Sequence, residues 1–194
     1  MWVLPSAPQV DPEPEPEQIL ERGDIQFFFQ PSVQPADADE YKLGVQSLFA
    51  ILSPEGGDHR RMRIGRKRMP VTTKDRFWCR IERVGSLQRV LGGKLEADRY
   101  TTKTRGERYQ PAARPVAMGT YEMRRHKDHT HFAYDIEPLG IDEAPDELTL
   151  ESSSHVVLFE SPPGTSRAKW TARGEVSQLD LEGAELVLVG ACRD

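Results

Sequence analysis

The sequence predicts a mainly β or α+β domain, an antiparallel sandwich or partly open barrel with one or two short helices. Three observations carry that expectation. Short apolar runs bounded by turn residues recur through residues 22–194. Several of them alternate apolar and polar residues at period two, the spacing of a half-buried strand. The clearest helix start, Ser86, opens a segment only a few residues long before Gly92-Gly93 ends it.

The elements follow in order. Asp11-Pro-Glu-Pro-Glu-Pro-Glu17 alternates charge with proline and has nothing to bury, so residues 1–21 are expected to form a disordered acidic tail outside a single β-rich domain at 22–194. Asp24-Ile-Gln-Phe-Phe-Phe29 reads as an aromatic strand closed by Pro31 and Pro35. Val45 to Leu52 is apolar on both parities after Ser47, the pattern of a strand buried on both faces, although periodicity leaves a short helix open. Ser53-Pro-Glu-Gly-Gly-Asp58 has Pro early and Gly late, so it predicts a turn that pairs 45–52 with 60–66 as a hairpin. In the returning strand Met62 and Ile64 share one face, Arg61 and Arg63 the other. Arg76 to Val84 places Phe77, Cys79 and Ile81 inward and Arg80 and Glu82 outward. Residues 98–119 are polar, basic and proline-bearing, and are expected to wander over the surface.

Tyr121 to Ile136 carries the clearest local pattern. A two-residue turn at Asp128-His129 would pair Lys127 with Thr130 and His126 with His131. Tyr121, Met123, Phe132, Tyr134 and Ile136 then face the core, and Glu122, Arg124, His126, His131 and Asp135 face outward. His155 to Phe159 and Glu185 to Val189 read as further strands.

Charge is distributed unevenly. Residues 59–127 hold 20 Lys and Arg against 6 Asp and Glu, residues 1–58 hold 2 against 11, and residues 128–194 hold 4 against 14. A basic middle between acidic flanks suits either a polyanion site or mutual neutralisation within the fold. No apolar run reaches the roughly 18–20 residues a membrane helix needs, so no membrane partner is expected. Met1 to Pro5 lacks a basic and apolar leader, and Cys79 and Cys192 have no partner motif, which points to a cytoplasmic protein with reduced thiols.

Three constellations could carry chemistry. Arg60, Arg61, Arg63, Arg66, Lys67 and Arg68 place six cations in nine residues, with Trp78 and Phe77 near enough in sequence to supply a stacking platform. The loop Lys103-Thr-Arg-Gly-Glu-Arg108 lacks the order of a P-loop but offers Lys103, Arg105 and Arg108 to an anion. His126, His129 and His131 fall within six residues and are weak candidates for a metal, because His-x-x-His-x-His matches no strong zinc spacing. Nucleophilic catalysis finds no support. Ser152 to His155 has no nucleophile elbow, and Cys79 alternates inward with the core.

Gly23-Asp-Ile-Gln-Phe-Phe-Phe29, Leu52-Ser-Pro54, Gly65-Arg-Lys-Arg68, Lys103-Thr-Arg-Gly-Glu-Arg108, Ala112-Ala-Arg-Pro115, His129-Thr-His131 and Leu181-Glu-Gly-Ala-Glu-Leu-Val-Leu-Val189 together resemble a family of uncharacterised prokaryotic proteins across residues 23–190. The resemblance implies no activity. It implies that the basic loop, the histidine hairpin and the last strand belong to one folding unit.

The function the sequence favours is a non-enzymatic binding module. Its basic surface for nucleic acid or another polyanion would comprise Arg61, Arg63, Arg66, Lys67, Arg68, Lys103, Arg105 and Arg108. The acidic lead, Glu13, Glu15, Glu17 and Glu21, would compete in cis for that surface. The alternatives are a metal- or His-dependent hydrolase or ribonuclease built on the three histidines, and a structural subunit of a larger assembly with an acidic protein partner. No cofactor is expected, and neither ligand nor oligomeric state is legible.

Overall fold

The structure is a computed structural model that describes residues 17–37, 44–140, 145–164 and 167–190. The elements are β1 (Gln18–Pro31), β2 (Gln34–Pro35), β3 (Val45–Pro54), β4 (His59–Ile64), β5 (Arg76–Gly85), α1 (Leu87–Leu91), β6 (Asp98–Thr102), β7 (Gly106–Gln110), β8 (Arg114–His126), β9 (His129–Pro138), β10 (Ser153–Glu160), β11 (Trp170–Thr171) and β12 (Glu185–Gly190). Eight strands close an antiparallel barrel in the order β1-β3-β4-β5-β12-β10-β9-β8, with β8 returning to β1. The chain is therefore mainly β, and the barrel is closed rather than partly open. Strand β11 adds to β10 at Phe159 and Glu160, and β2, β7 and β6 make a small separate sheet.

Alternation along each strand fills the barrel. Ile25, Phe27 and Phe29 of β1 point inward, as do Leu48, Ala50 and Leu52 of β3, Met62 and Ile64 of β4, and Phe77, Cys79 and Ile81 of β5. Phe132 and Tyr134 pack ring to ring with Tyr121 and Phe27 at centroid distances of 5.4–5.7 Å. An eight-stranded barrel is just wide enough for such side chains, so its interior is core rather than channel.

The connectivity explains the outer wall. Strands β1-β3-β4-β5 form one meander and β8-β9-β10-β12 a second, and the two are zipped together by β1 with β8 and by β5 with β12. With β1 taken as rising, β5 ends at the lower rim, where His59 pairs with Gly85, while β8 starts at the upper rim, where Phe29 pairs with Arg114. Residues 86–113 must climb the outside between them. Ser86 caps α1 by accepting from the Arg89 N–H at 3.3 Å, and Val90 and Leu95 seal against Phe49 and Ile51. That second cluster is why 45–52 is apolar on both parities.

Three expectations are corrected. Residues 18–21, assigned to the tail, begin β1, so the sheet starts at Gln18; residues 1–16 lie outside the described residues. The β8–β9 hairpin turns at Lys127-Asp128, with Lys127 at φ +48°, so His126 pairs with His129 and Arg124 with His131. A two-residue slip keeps every side chain on its face, which is why the alternation could not distinguish the registers. Within 98–119, β6 and β7 form a hairpin closed by Gly106 at φ +66° and by the Thr102 hydroxyl accepting from Arg105 N–H at 3.0 Å. Both its faces are largely exposed, so it left no hydrophobic signature.

Polar groups close the lower end. Arg60 points inward and bonds both Glu21 oxygens at 2.7 and 2.8 Å, and its Nε and Nη2 bond Asp180 at 2.9 and 2.7 Å. The Tyr121 hydroxyl donates to Glu21 at 2.8 Å, completing the network. At the upper end Met69 and Leu148 are buried, tied by a backbone bond of 3.2 Å. No helix among the described residues is long and apolar enough to cross a membrane.

Candidate polyanion interface and histidine cluster

The six cations of 60–68 do not form one surface. Arg60 is in the barrel network. Arg61 points outward but is 1% exposed, because α1 and its following turn cover it. Its guanidinium donates to the carbonyls of Val90 and Gly92 at 3.1 and 2.8 Å and lies 3.3 Å from Glu82. Burial lowers its pKa. Arg61 therefore holds the outer helix to the wall and cannot meet a polyanion. Arg68 pairs with Asp75 at 3.2 Å and lies over the Phe77 ring at 4.9 Å. Asp75 also accepts from the Thr72 and Val71 N–H groups, which hold its carboxyl well below the usual carboxylate range. This pair shapes the 65–75 loop. Arg63, half-exposed, shares Glu82 at 3.8 Å, whereas Arg66 and Lys67 are exposed.

The structure gives these cations new company. Ladder alternation turns Arg76, Trp78 and Arg80 of β5 outward together, opposite Phe77, Cys79 and Ile81. Arg80 pairs directly with Arg63 of β4, and Trp78, 56% exposed, lies beside Gly65, whose missing side chain admits the Trp78 carbonyl. The same period-two reading that fixed the inward face could have found Arg76. Glu185, opposite Arg80, and Glu82 bring the only acidic groups described on these β5 and β12 outer faces.

Lys103 and Arg105 are exposed at the β6–β7 tip. Arg105 and Arg108 line a groove of about 320 Å³ with Ser32, Gln46 and Tyr100, and Arg108 reaches the Val33 carbonyl at 3.5 Å. Gln46 precedes Leu48, which pairs with Ile64, so the groove and the 65–68 turn sit at the same, upper end. Of the acidic lead, Glu21 is committed to Arg60 and Glu17 meets Arg124 at 3.5 Å; Glu13 and Glu15 lie outside the described residues.

The histidines occupy the lower end of the β8–β9 outer face. His129 and His131 are two residues apart on β9, and His126 faces His129 across the ladder, so all three imidazoles share one side. One ring nitrogen from each lies within 4.8 Å of the others. His129 and His131 meet Nε2 to Nε2 at 2.8 Å. The Nδ1 atoms have other partners, Asp128 at 2.8 Å for His129 and Ser154 at 3.4 Å for His131. Burial and the neighbouring His129 lower the His131 pKa, and the His129 hydrogen bond lowers that of Asp128. Asp135 bonds Ser152 at 2.6 Å and is no part of the cluster.

Two further groups that sequence reasoning weighed are structural. Burial pushes the Cys79 thiol up to about 12, which leaves no thiolate near neutrality. His155 is buried on the inner face and bonds the Tyr134 hydroxyl at 2.9 Å, away from Ser152. No family model matches this chain, and neither a curated protein nor a solved structure matches it.

Proposed function

We propose that this protein is a binding module for a polyanion, and that single-stranded nucleic acid lies across the outer face of β4 and β5 at the upper end of the barrel. One observation carries the reading: Trp78 stands more than half exposed between Arg76 and Arg80, with Arg63 across the ladder. An exposed indole flanked by guanidinium groups offers a stacking face and phosphate contacts within one sheet surface. The adjoining Arg66 and Lys67 extend the cationic strip, and the Arg105–Arg108 groove continues it at the same end. Arg61, buried under α1, takes no part in the contact, while Arg68, partly exposed beside Asp75, borders the strip.

The test is titration with a short single strand at several salt concentrations. Affinity should fall with salt, and replacing Arg66, Lys67 and Arg80 by Ala should flatten the log–log slope by about two units, at roughly 0.7 per lost phosphate contact. Trp78→Ala should weaken binding by about 1–3 kcal/mol and leave the slope nearly unchanged, since stacking releases no counterions. No salt-sensitive binding at low ionic strength would overturn the proposal.

A further inference from the structure

We infer that His126, His129 and His131 form a site for a divalent transition-metal ion of the zinc class, with a coordination position left open. The site is independent of the basic strip, at the other end of the barrel.

The argument starts from the strand pleat. A His-x-His pair on one strand projects both rings from the same face, and a histidine directly opposite supplies a third donor from a neighbouring chain segment. Donor atoms from all three rings already lie within 4.8 Å of one another. Zinc–nitrogen bonds of about 2.0–2.1 Å in a tetrahedron place donors roughly 3.3 Å apart. The 2.8 Å separation of the His129 and His131 Nε2 atoms is close to that value, and small ring rotations would open it. His126 has further to move, up to about 1.5 Å from a donor separation within 4.8 Å, by rotation of its ring.

The hydrogen bonds on the far side of the rings give an independent indication. Asp128 holds His129 at Nδ1, and Ser154 holds His131 at Nδ1, so both Nε2 atoms are presented inward to one point. Metal-ligating histidines commonly use their second nitrogen this way, and the partner fixes tautomer and ring orientation. The backbone beneath is a barrel wall: β9 is paired on both edges, to β8 and to β10. The backbone that carries the three rings is therefore fixed by the ladder, and ring rotation completes the set. Arg124 is the cross-strand neighbour of His131, and Glu122 and Glu17 pair with its guanidinium.

The donor set also selects the ion. Three neutral imidazoles suit zinc, cobalt, nickel or copper and offer little to magnesium or calcium, which want oxygen. Three protein ligands leave a tetrahedral ion one position short, as in zinc centres that keep a water or an exogenous anion. A groove of about 680 Å³ lies on the same β8–β9 outer face, lined by Glu122, Arg124 and Asp135 among others, although none of the three histidines lines it.

The experiment uses the untagged full chain, stripped with chelator and titrated with zinc and then with cobalt. The expected result is one ion per chain with micromolar or tighter affinity. Binding should weaken at least about a hundredfold in the variant carrying His126→Ala and His131→Ala, while His59→Ala binds as the parent does. Asp128→Ala should weaken it roughly 10–100-fold, the usual cost of a lost outer partner. The stripped double variant should melt where the stripped parent melts, which separates lost ligation from misfolding. Should the double variant melt lower, His126→Gln and His131→Gln singly must reproduce the loss of binding. Cobalt should give the intense visible bands of a four-coordinate centre, and added azide should shift them. Absence of stoichiometric binding, or binding unchanged in the double variant, overturns the site; cobalt bands indifferent to azide overturn its open position.

Discussion

Replacing Arg60 by Ala should lower the unfolding free energy by about 3–5 kcal/mol, the usual cost of removing one partner from a buried ion pair. The side chain of Arg60 is 3% exposed, and its fork satisfies Glu21 and Asp180 together. Without it the Glu21 carboxylate, mostly buried, keeps only the Tyr121 hydroxyl as a side-chain partner among the described residues, an under-compensated charge at the barrel end. Arg60→Lys keeps the charge but loses the bidentate geometry, and should fall between parent and Ala variant. Urea unfolding measures both, with an unchanged denaturant slope showing that the midpoint reports stability. A loss below about 1 kcal/mol for the Ala variant would mean that water replaces the guanidinium without penalty, and the network would not be a structural plug.

The second large effect is acid sensitivity from His155. Its Nε2 bonds Tyr134, its Nδ1 has no partner among the described residues, and burial depresses its pKa to about 4. An unfolded histidine titrates near 6.5. Between those values the unfolded chain binds a proton that the folded chain refuses, so stability is full above about 6.5 and is lost as pH falls toward 4. The depression corresponds to about 3 kcal/mol across that window. His155→Gln keeps a neutral hydrogen-bonding side chain without the titration. The difference in stability between parent and variant should therefore change by about 2–3 kcal/mol between pH 7 and 4.5, other titrating groups cancelling. Parallel pH profiles would refute the assignment.

What the sequence made legible was parity. Alternation in 76–84 and 121–136 placed Phe77, Cys79, Tyr121 and Phe132 correctly inward, and those faces define an antiparallel β architecture. Closure was not legible, because β5 finds β12 through Arg80 and Glu185, far apart in the chain, and no local pattern reports such a pairing. The candidate sites divide along the same line. The histidines cluster because they are near neighbours on one hairpin, although the register that brings His126 opposite His129 depends on where the turn forms. The basic run failed as a unit because outward orientation is not exposure. Arg61 faces away from the core and is nonetheless buried by residues that sequence order puts some thirty positions later.

The placement of β12 has a consequence for how the chain acquires its fold. It is the last in chain order of the strands among the described residues, yet it sits between β5 and β10 and completes the ring. Until it docks, those two strands present unpaired backbone edges, the template for intermolecular strand addition. Folding should be slow for the chain length, since this pairing joins residues of high sequence separation. The species at risk of aggregation is a seven-stranded, C-shaped sheet, and its lifetime is governed by the arrival of Glu185 to Gly190.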